Sequence, residues 1–397
     1  MSGKVSTSEK IARNADSEDL TDDIVSVSGY AFSVPPKKEF KPWHRPRKQF
    51  VRNDQWLFYV TELVSERSPF DGPLTYFGLP GADLLDIRFF DKMVCDQNNV
   101  KLRFLGFDLG AAPDSETASE FIISRDEVSK LASIDPQSDV IAHDIRELSN
   151  EDSIAWQKTL EYGPYDVVNL DLCDGITKEE GGNINDTYYN AVSRLLTVQS
   201  RRKSPWLLFL TTRVGKRHIH DDALEKLCRL YLKNLADCAP FREQSKAKFS
   251  IENETGFDLA KSDDQGLQRI VLTGLCKWLL GLTLGQQPPT VMEVKSLFGY
   301  RVRQGASAED MVSIAIRFQP THVPPNDPIQ LAVAKAAAPD ECVLAEKAAV
   351  RVSTLVDVDD VLASDPNVRS EMTEAMCSLL ESARYDINAY RKWAATA

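Results

Sequence analysis

The stretch Tyr165-Asp-Val-Val-Asn-Leu-Asp-Leu-Cys-Asp-Gly175 decides the fold. Its apolar residues run together, as in a strand buried on both faces, and then stop at two carboxylates and a glycine. The same grammar recurs on either side. Leu74–Leu79 runs into Pro80-Gly81, Val100–Phe107 into Asp108, Val140–His143 into Asp144, and Trp206–Thr211 forms a fifth apolar run. Helix-like segments lie between or after them: Ala82–Val94, Asp186–Ser200, Asp221–Ala236 and Gly266–Leu284. Strands alternating with helices define an α/β fold with a doubly wound, mostly parallel sheet. Two further apolar runs, Val291–Val302 and Met311–Phe318, are linked by the short segment Arg303–Asp310. So short a link makes a hairpin, so this last pair is expected to be antiparallel.

In an open parallel sheet the loops at the carboxyl ends of the strands converge on one crevice, where ligands bind. Gly78 and Gly81 would let a backbone pass close to a ligand after strand one. Asp108 ends strand two, 27 residues beyond Gly81. That is close to the spacing of about 20 residues at which a carboxylate grips a ribose diol. An ionised carboxylate offers two acceptors in one plane, matching the two donors of a diol. Asp144 after strand three could accept from an adenine amino group, though an aspartate there also serves as a plain helix cap. Asp171 and Asp174 after strand four face the place where a reacting group would sit. They too have a structural alternative, as the Asx turn of a loop.

The order of elements, the acid at the end of strand two, the aspartate after strand three and the Tyr165-Asp-Val-Val168 strand resemble a class I S-adenosylmethionine-dependent methyltransferase. The resemblance covers about Leu74 to Pro320. It implies S-adenosylmethionine as cofactor, held by Gly78, Gly81, Asp108, Asp144 and Ile145, with Asp171 and Asp174 as catalytic groups. Two departures stand out. The family's strand one carries an acid and a G-x-G-x-G turn, whereas this chain reads Tyr76-Phe-Gly-Leu-Pro-Gly81. Amino-methyltransferases of nucleic acid end strand four in a D/N-P-P-aromatic turn, whereas this chain reads Asn169-Leu-Asp-Leu-Cys-Asp174. The implied function is methyl transfer to a macromolecule, nucleic acid first. The alternative is a catalytically degenerate scaffold within a multi-protein system, defence or nucleic-acid modification being settings suggested by analogy.

A second register competes. Phe107-Asp-Leu-Gly-Ala-Ala-Pro113 resembles the first turn of ribose 2′-O-methyltransferases. It would make Val140–Arg146 strand two, leave no strand three before Tyr165, and orphan Leu74–Leu79. The first register is preferred on that ground.

Outside the sheet, four stretches are distinguished: an arm over 1–34, a basic and aromatic segment over 35–73, the α/β domain over 74–320, and an Ala-rich helical region over 321–397. Asp365-Pro366 starts a helix there, with Val368, Met372, Met376, Leu379 and Ala383 on one face. In the basic segment Lys37, Lys38, Lys41, Arg45, Arg47, Lys48 and Arg52 oppose only Glu39, a local charge of +6. Interleaved with Trp43, His44 and Phe50, these cations could track phosphates with aromatic stacking. The competing reading is a strap packed on the chain's own acidic surface, in keeping with a net charge of −12 over 397 residues. The helical C-terminal region, itself acidic, could offer a face to a protein partner.

Seven scattered cysteines argue against a disulfide framework and, with no apolar leader, favour a reducing cytoplasm. The stretch Ile270–Leu284 is interrupted by Lys277 and too short for a membrane span, so no membrane association is expected. His218 and His220 lack a third ligand at metal spacing, so no metal site is assigned.

Overall fold

A computed structural model describes residues 36–67, 69–178, 187–251, 263–302, 309–321, 329 and 339–396. The arm over 1–34, most of the hairpin link and most of the Pro-containing connector after Pro320 lie outside the described residues. Lys38–Ala397 form one compact unit.

Eight strands make one sheet: β1 (Leu74–Gly78), β2 (Leu102–Phe107), β3 (Asp139–Ile141), β4 (Val167–Asp171), β5 (Trp206–Arg213), β6 (Thr290–Tyr300), β7 (Met311–Pro320) and β8 (Val356–Asp357). Their order is β3-β2-β1-β4-β5-β7-β6-β8. The pairs among β1 to β5 are parallel, β7 runs antiparallel to both β5 and β6, and β8 is parallel to β6. This is the methyltransferase-like α/β architecture read from the sequence. The central place of Leu74–Gly78, between β2 and β4, rules out the second register. Asp166 pins that centre: buried just before β4, it accepts from Thr75 N (2.8 Å), Thr75 Oγ1 (2.7 Å), Arg202 (2.5 Å) and Arg67.

Strand periodicity sorts the core into two layers. Phe77, Leu105, Val168 and Leu208 face one side, packed with the helices Ile154–Tyr162, Tyr188–Gln199 and Asp264–Leu284. Tyr76, Phe104, Val167 and Leu207 face the other, where the covering elements come from both ends of the chain. Pro46–Val51, Arg52–Leu57 and Phe58–Glu66 form one continuous amino-terminal helix whose middle section is a wider π-helical turn. After β1 the chain forms Leu85–Phe90, which passes into a second π-helical section, Asp91–Cys95. Pro366–Ser382, capped by Asp365 as the sequence indicates, buries Met372, Met376, Leu379 and Ala383 on this side. The sequence reading of residues 35–73 had placed no helix there.

Asp264–Leu284 is long and apolar enough to cross a membrane, but most of it is buried within the fold, and Lys277 pairs with Glu341. Cys238 and Cys342, 104 residues apart, form a disulfide between two helix starts. A single covalent link is thus present where the scattered spacing had suggested free thiols.

Candidate functional site

The carboxyl edge of the sheet begins with β1 and its turn. Gly78 sits beside Gly106 in register, and both glycines make room for the chain's own side chains. A Cβ on Gly78 would lie 2.6 Å from the Tyr76 hydroxyl, and one on Gly106 would lie 2.9 Å from the Pro80 ring. Gly81 differs: at φ +66° it takes a backbone conformation that glycine adopts without strain, with no atom within 4 Å of its Cβ position. Of the two glycines assigned to the cofactor, only Gly81 presents open space.

Asp108 follows β2 at the same edge. One carboxylate oxygen accepts from Gly110 N at 2.7 Å, and the other has no hydrogen bond among the described residues. Burial raises its pKa, an effect that the Gly110 amide only partly offsets. A half-buried carboxylate with an oxygen to spare is the donor-seeking group that a ribose diol satisfies.

Asp144 is engaged locally. Burial would raise its pKa, but its bonds from Arg146 N (2.8 Å), Nε (3.0 Å) and Nη2 (2.7 Å) outweigh that and lower it. It caps the turn Ile145–Ser149, and Glu147 completes a capping box. Ile145 is buried in the core beside the sheet. The structure thus gives Asp144 a capping role and buries the Ile145 side chain.

At the end of β4 the amino-terminal helix enters the site. Lys48 Nζ donates to Asp171 Oδ1 at 2.5 Å and stands 4.5 Å from the centre of the Trp56 ring. One helical turn on, Arg52 Nε donates to Asp86 Oδ1 at 2.9 Å, with both residues buried. A further turn on, Gln55 bonds Ser296 and Ser313 on β6 and β7. The spacing 48, 52, 55 puts these three on one helical stripe, laid over polar residues of the sheet and of the helix after β1. Burial raises the Asp86 pKa against the pull of Arg52, and Asp171 adds to the rise. Burial likewise pushes the Tyr76 and Tyr300 phenols well up, with the negative field of Asp171 contributing to both. Two cations and two carboxylates are thus packed under the helix with two tyrosines and Asn169.

Asp174 has a separate set of partners. It accepts from Gly175 N (2.8 Å), Lys178 (2.5 Å) and His218 Nδ1 (3.0 Å). Burial would raise its pKa, but these bonds prevail and lower it to about 2. So weak a base is poorly suited to accept a proton near neutrality. His220 accepts from Asp222 N as a helix cap, which accounts for the second histidine. Cys173, exposed between the two acids, lies in the electrostatic field of Asp171, Lys48, Arg213 and Asp108, and the parallel run of β2, β1 and β4 puts Asp108 and Asp171 at the same edge of the sheet.

The sequence reading missed Asp86, Tyr300 and the inward direction of Lys48 and Arg52. The available signal was the polar stripe 48, 52, 55 in a segment otherwise carrying Val51, Trp56, Val60 and Leu63. The other cations of that segment also have partners within the chain. Arg45 stacks 3.5 Å over Trp393, Arg47 bonds Asp359 at 3.1 Å, Lys38 lies 3.6 Å from Asp386, and Lys41 pairs with Glu39. Contact with nucleic acid through these groups would require them to exchange those partners.

Among solved structures the chain is similar to a magnesium protoporphyrin IX methyltransferase (ChlM) from Synechocystis PCC 6803 with bound SAM. The identity is 12%, the TM-score 0.31, and the match covers 77% of this chain and 99% of that one. No curated protein matches the sequence. A family model described as PP_RS20740-like matches residues 37–395, from the start of the basic segment to the last helix, and the chain belongs to that family.

Proposed function

We propose that this protein binds S-adenosylmethionine at the carboxyl edge of its sheet and transfers the methyl group to a macromolecular acceptor, nucleic acid being the first class to test. The observation that carries the reading is Asp108: a half-buried carboxylate at the end of β2, with one oxygen fixed by Gly110 and the other without a hydrogen bond among the described residues. Gly81, after the neighbouring strand β1, leaves open space at its Cβ position. The residues present fit the ribose end of such a cofactor. When bound, the cofactor would supply an electrophilic methyl for an acceptor lone pair to attack, the carbon–sulfur electron pair leaving on sulfur as S-adenosylhomocysteine. The chain orients the acceptor and takes its proton. Asp171 is the group for that task, since Lys48 holds only one of its oxygens.

That same contact favours a second reading. An ammonium 2.5 Å from this base suits a protein that binds the nucleotide and transfers nothing. Calorimetry with S-adenosylmethionine, on the parent and on Asp108→Ala, tests the binding common to both readings. Incubation with methyl-labelled cofactor and separated cellular RNA, DNA and protein then divides them. Saturable binding with no label in any fraction leaves the scaffold, and absence of binding by the parent removes both.

A further inference from the structure

A second, separate cavity lies on the side of the sheet covered by the chain's two ends. It has a volume of about 450 Å³ and sits between the amino-terminal helix, the helix after β1 and Pro366–Ser382. That size is within the range of about 300–1,000 Å³ usual for small-molecule sites. Phe89, Met93, Leu131 and Leu379 give it apolar walls. Among the described residues two buried acceptor atoms of its lining side chains have no hydrogen bond: Gln49 Oε1, on a side chain 1% exposed, and Oδ1 of the Asp91 carboxyl, which also interacts with Ser133.

With Gln49 Nε2 set toward Asn53 Oδ1 the unmatched groups are both acceptors, and turning the two amides together would cost the Asn53 contact with the Met372 sulfur. Gln49 Nε2 donates to Asn53 Oδ1 at 2.9 Å, and Asn53 Nδ2 faces the Met372 sulfur at 3.7 Å. Turning the Gln49 amide would set oxygen against oxygen. The Asp91 carboxyl interacts with Ser133, while burial, the larger influence, raises its pKa. Arg88, the guanidinium on the wall, is already engaged: it donates to Asp83 O (3.0 Å), Ser382 O (2.6 Å) and Glu127 (2.5 Å). An anion would therefore meet two bare acceptors and a cation with other partners. A donor would satisfy both acceptors, and a positive charge would offset the burial of Asp91. Asp96 adds a further carboxylate to the lining, and Lys92 a cation at an exposed position.

We propose that this cavity binds a small organic ammonium ion, its apolar body against Phe89, Met93 and Leu379 and its ammonium between Gln49 Oε1 and Asp91. This site is distinct from the crevice at Asp108, and the inference stands whether or not S-adenosylmethionine binds there. The two are adjoined by one helix, which turns Lys48 and Arg52 to the sheet and Gln49 and Asn53 to the cavity.

The test uses phenethylamine as probe and phenylacetate as its anionic counterpart, with the full chain, by saturation-transfer NMR and thermal shift. Phenethylamine should bind saturably and raise the melting temperature, and phenylacetate should do neither. Asp91→Asn should weaken the amine about tenfold, as expected for loss of a charge-assisted hydrogen bond. Ser378→Trp, at an exposed position on the lining, should abolish binding while leaving the circular dichroism of the parent. Gln49→Leu, which removes the neutral acceptor together with the bond to Asn53, gives an independent check should Asp91→Asn fold poorly. No saturable amine binding up to about 10 mM, a range that covers even weak fragment affinities, would overturn the proposal. So would equal binding of phenylacetate, or amine binding undiminished by Ser378→Trp.

Discussion

Lys48 and Asp171, 123 residues apart in sequence, meet at 2.5 Å and tie the amino-terminal helix to the end of β4. Lys48 is almost fully buried and Asp171 is one-fifth exposed, so neither charge is freely hydrated. Removing one member of such a pair leaves the other uncompensated. Lys48→Met should cost about 3 kcal/mol by urea denaturation, the lower end of the range for breaking a buried pair. The double variant Lys48→Met with Asp171→Leu should recover much of that loss. An equal loss in both variants would show that packing of the lysine stem, and not the pair, is what matters.

Asp108 separates binding from stability. Its folded-state pKa lies above the unfolded value because burial disfavours the carboxylate. The native state therefore holds this proton more tightly, and the group's contribution to stability grows as pH falls through the two values. Above both, the ionised form opposes folding. Asp108→Asn should thus raise the melting temperature at neutral pH while lowering S-adenosylmethionine affinity by about 2 kcal/mol, the worth of a charge-assisted bond to a diol. Calorimetry and thermal denaturation on one sample read both effects.

Asp174 has the opposite sign. Burial, the largest single influence, would raise its pKa in the fold, but Lys178, Gly175 N and His218 together outweigh it and lower it to about 2. Its stabilisation is present above the unfolded value of about 4 and is lost as pH falls from there toward about 2. The side chain is 42% exposed, so solvent screening limits the effect to about 1 kcal/mol or less. Melting temperature against pH for the parent and Asp174→Asn should differ above pH ~4 and converge in acid.

The disulfide closes a loop of 104 residues between Cys238 and Cys342. On the chain-entropy account a loop of that size contributes up to about 4–5 kcal/mol. Dithiothreitol should lower the melting temperature of the parent and leave that of Cys342→Ser unmoved. Thiol counting by mass spectrometry before and after denaturation gives the redox state directly.

Gly78 tests what the strand-one turn accommodates. If its missing side chain serves the Tyr76 ring, Gly78→Ala should destabilise the parent. The same change should cost less in a Tyr76→Ala background, a coupling that a double-mutant cycle reads. Equal costs in both backgrounds would return Gly78 to the cofactor.

The sheet was legible because its strands carry their own punctuation. β1, β2 and β4 are apolar runs ended by glycine, proline or aspartate, β5 is an apolar run ended by threonines, and the short link after Tyr300 announced the antiparallel return. β8 was not legible: two residues make no period. The amino-terminal helix was obscured by the charges it buries. Lys48 and Arg52 read as surface groups until Asp171 and Asp86 are seen opposite them, and those partners come from elements distant in sequence. In the site, the position of Asp108 follows from element order alone. The local engagement of Asp144 turns on Arg146, whose direction no spacing rule supplies.

The stripe Lys48, Arg52, Gln55 also sets a schedule. Gln55 finds its last partner at Ser313, 258 residues later. At a synthesis rate of about 5–20 residues per second, that strand leaves the ribosome roughly 10–50 s after the helix. Arg52 can meet Asp86 after 34 residues and Lys48 can meet Asp171 after 123, so the two cations are seated well before the amide. The seat of this helix is thus completed in steps along the chain, and Gln55 is the last of the three groups to be covered.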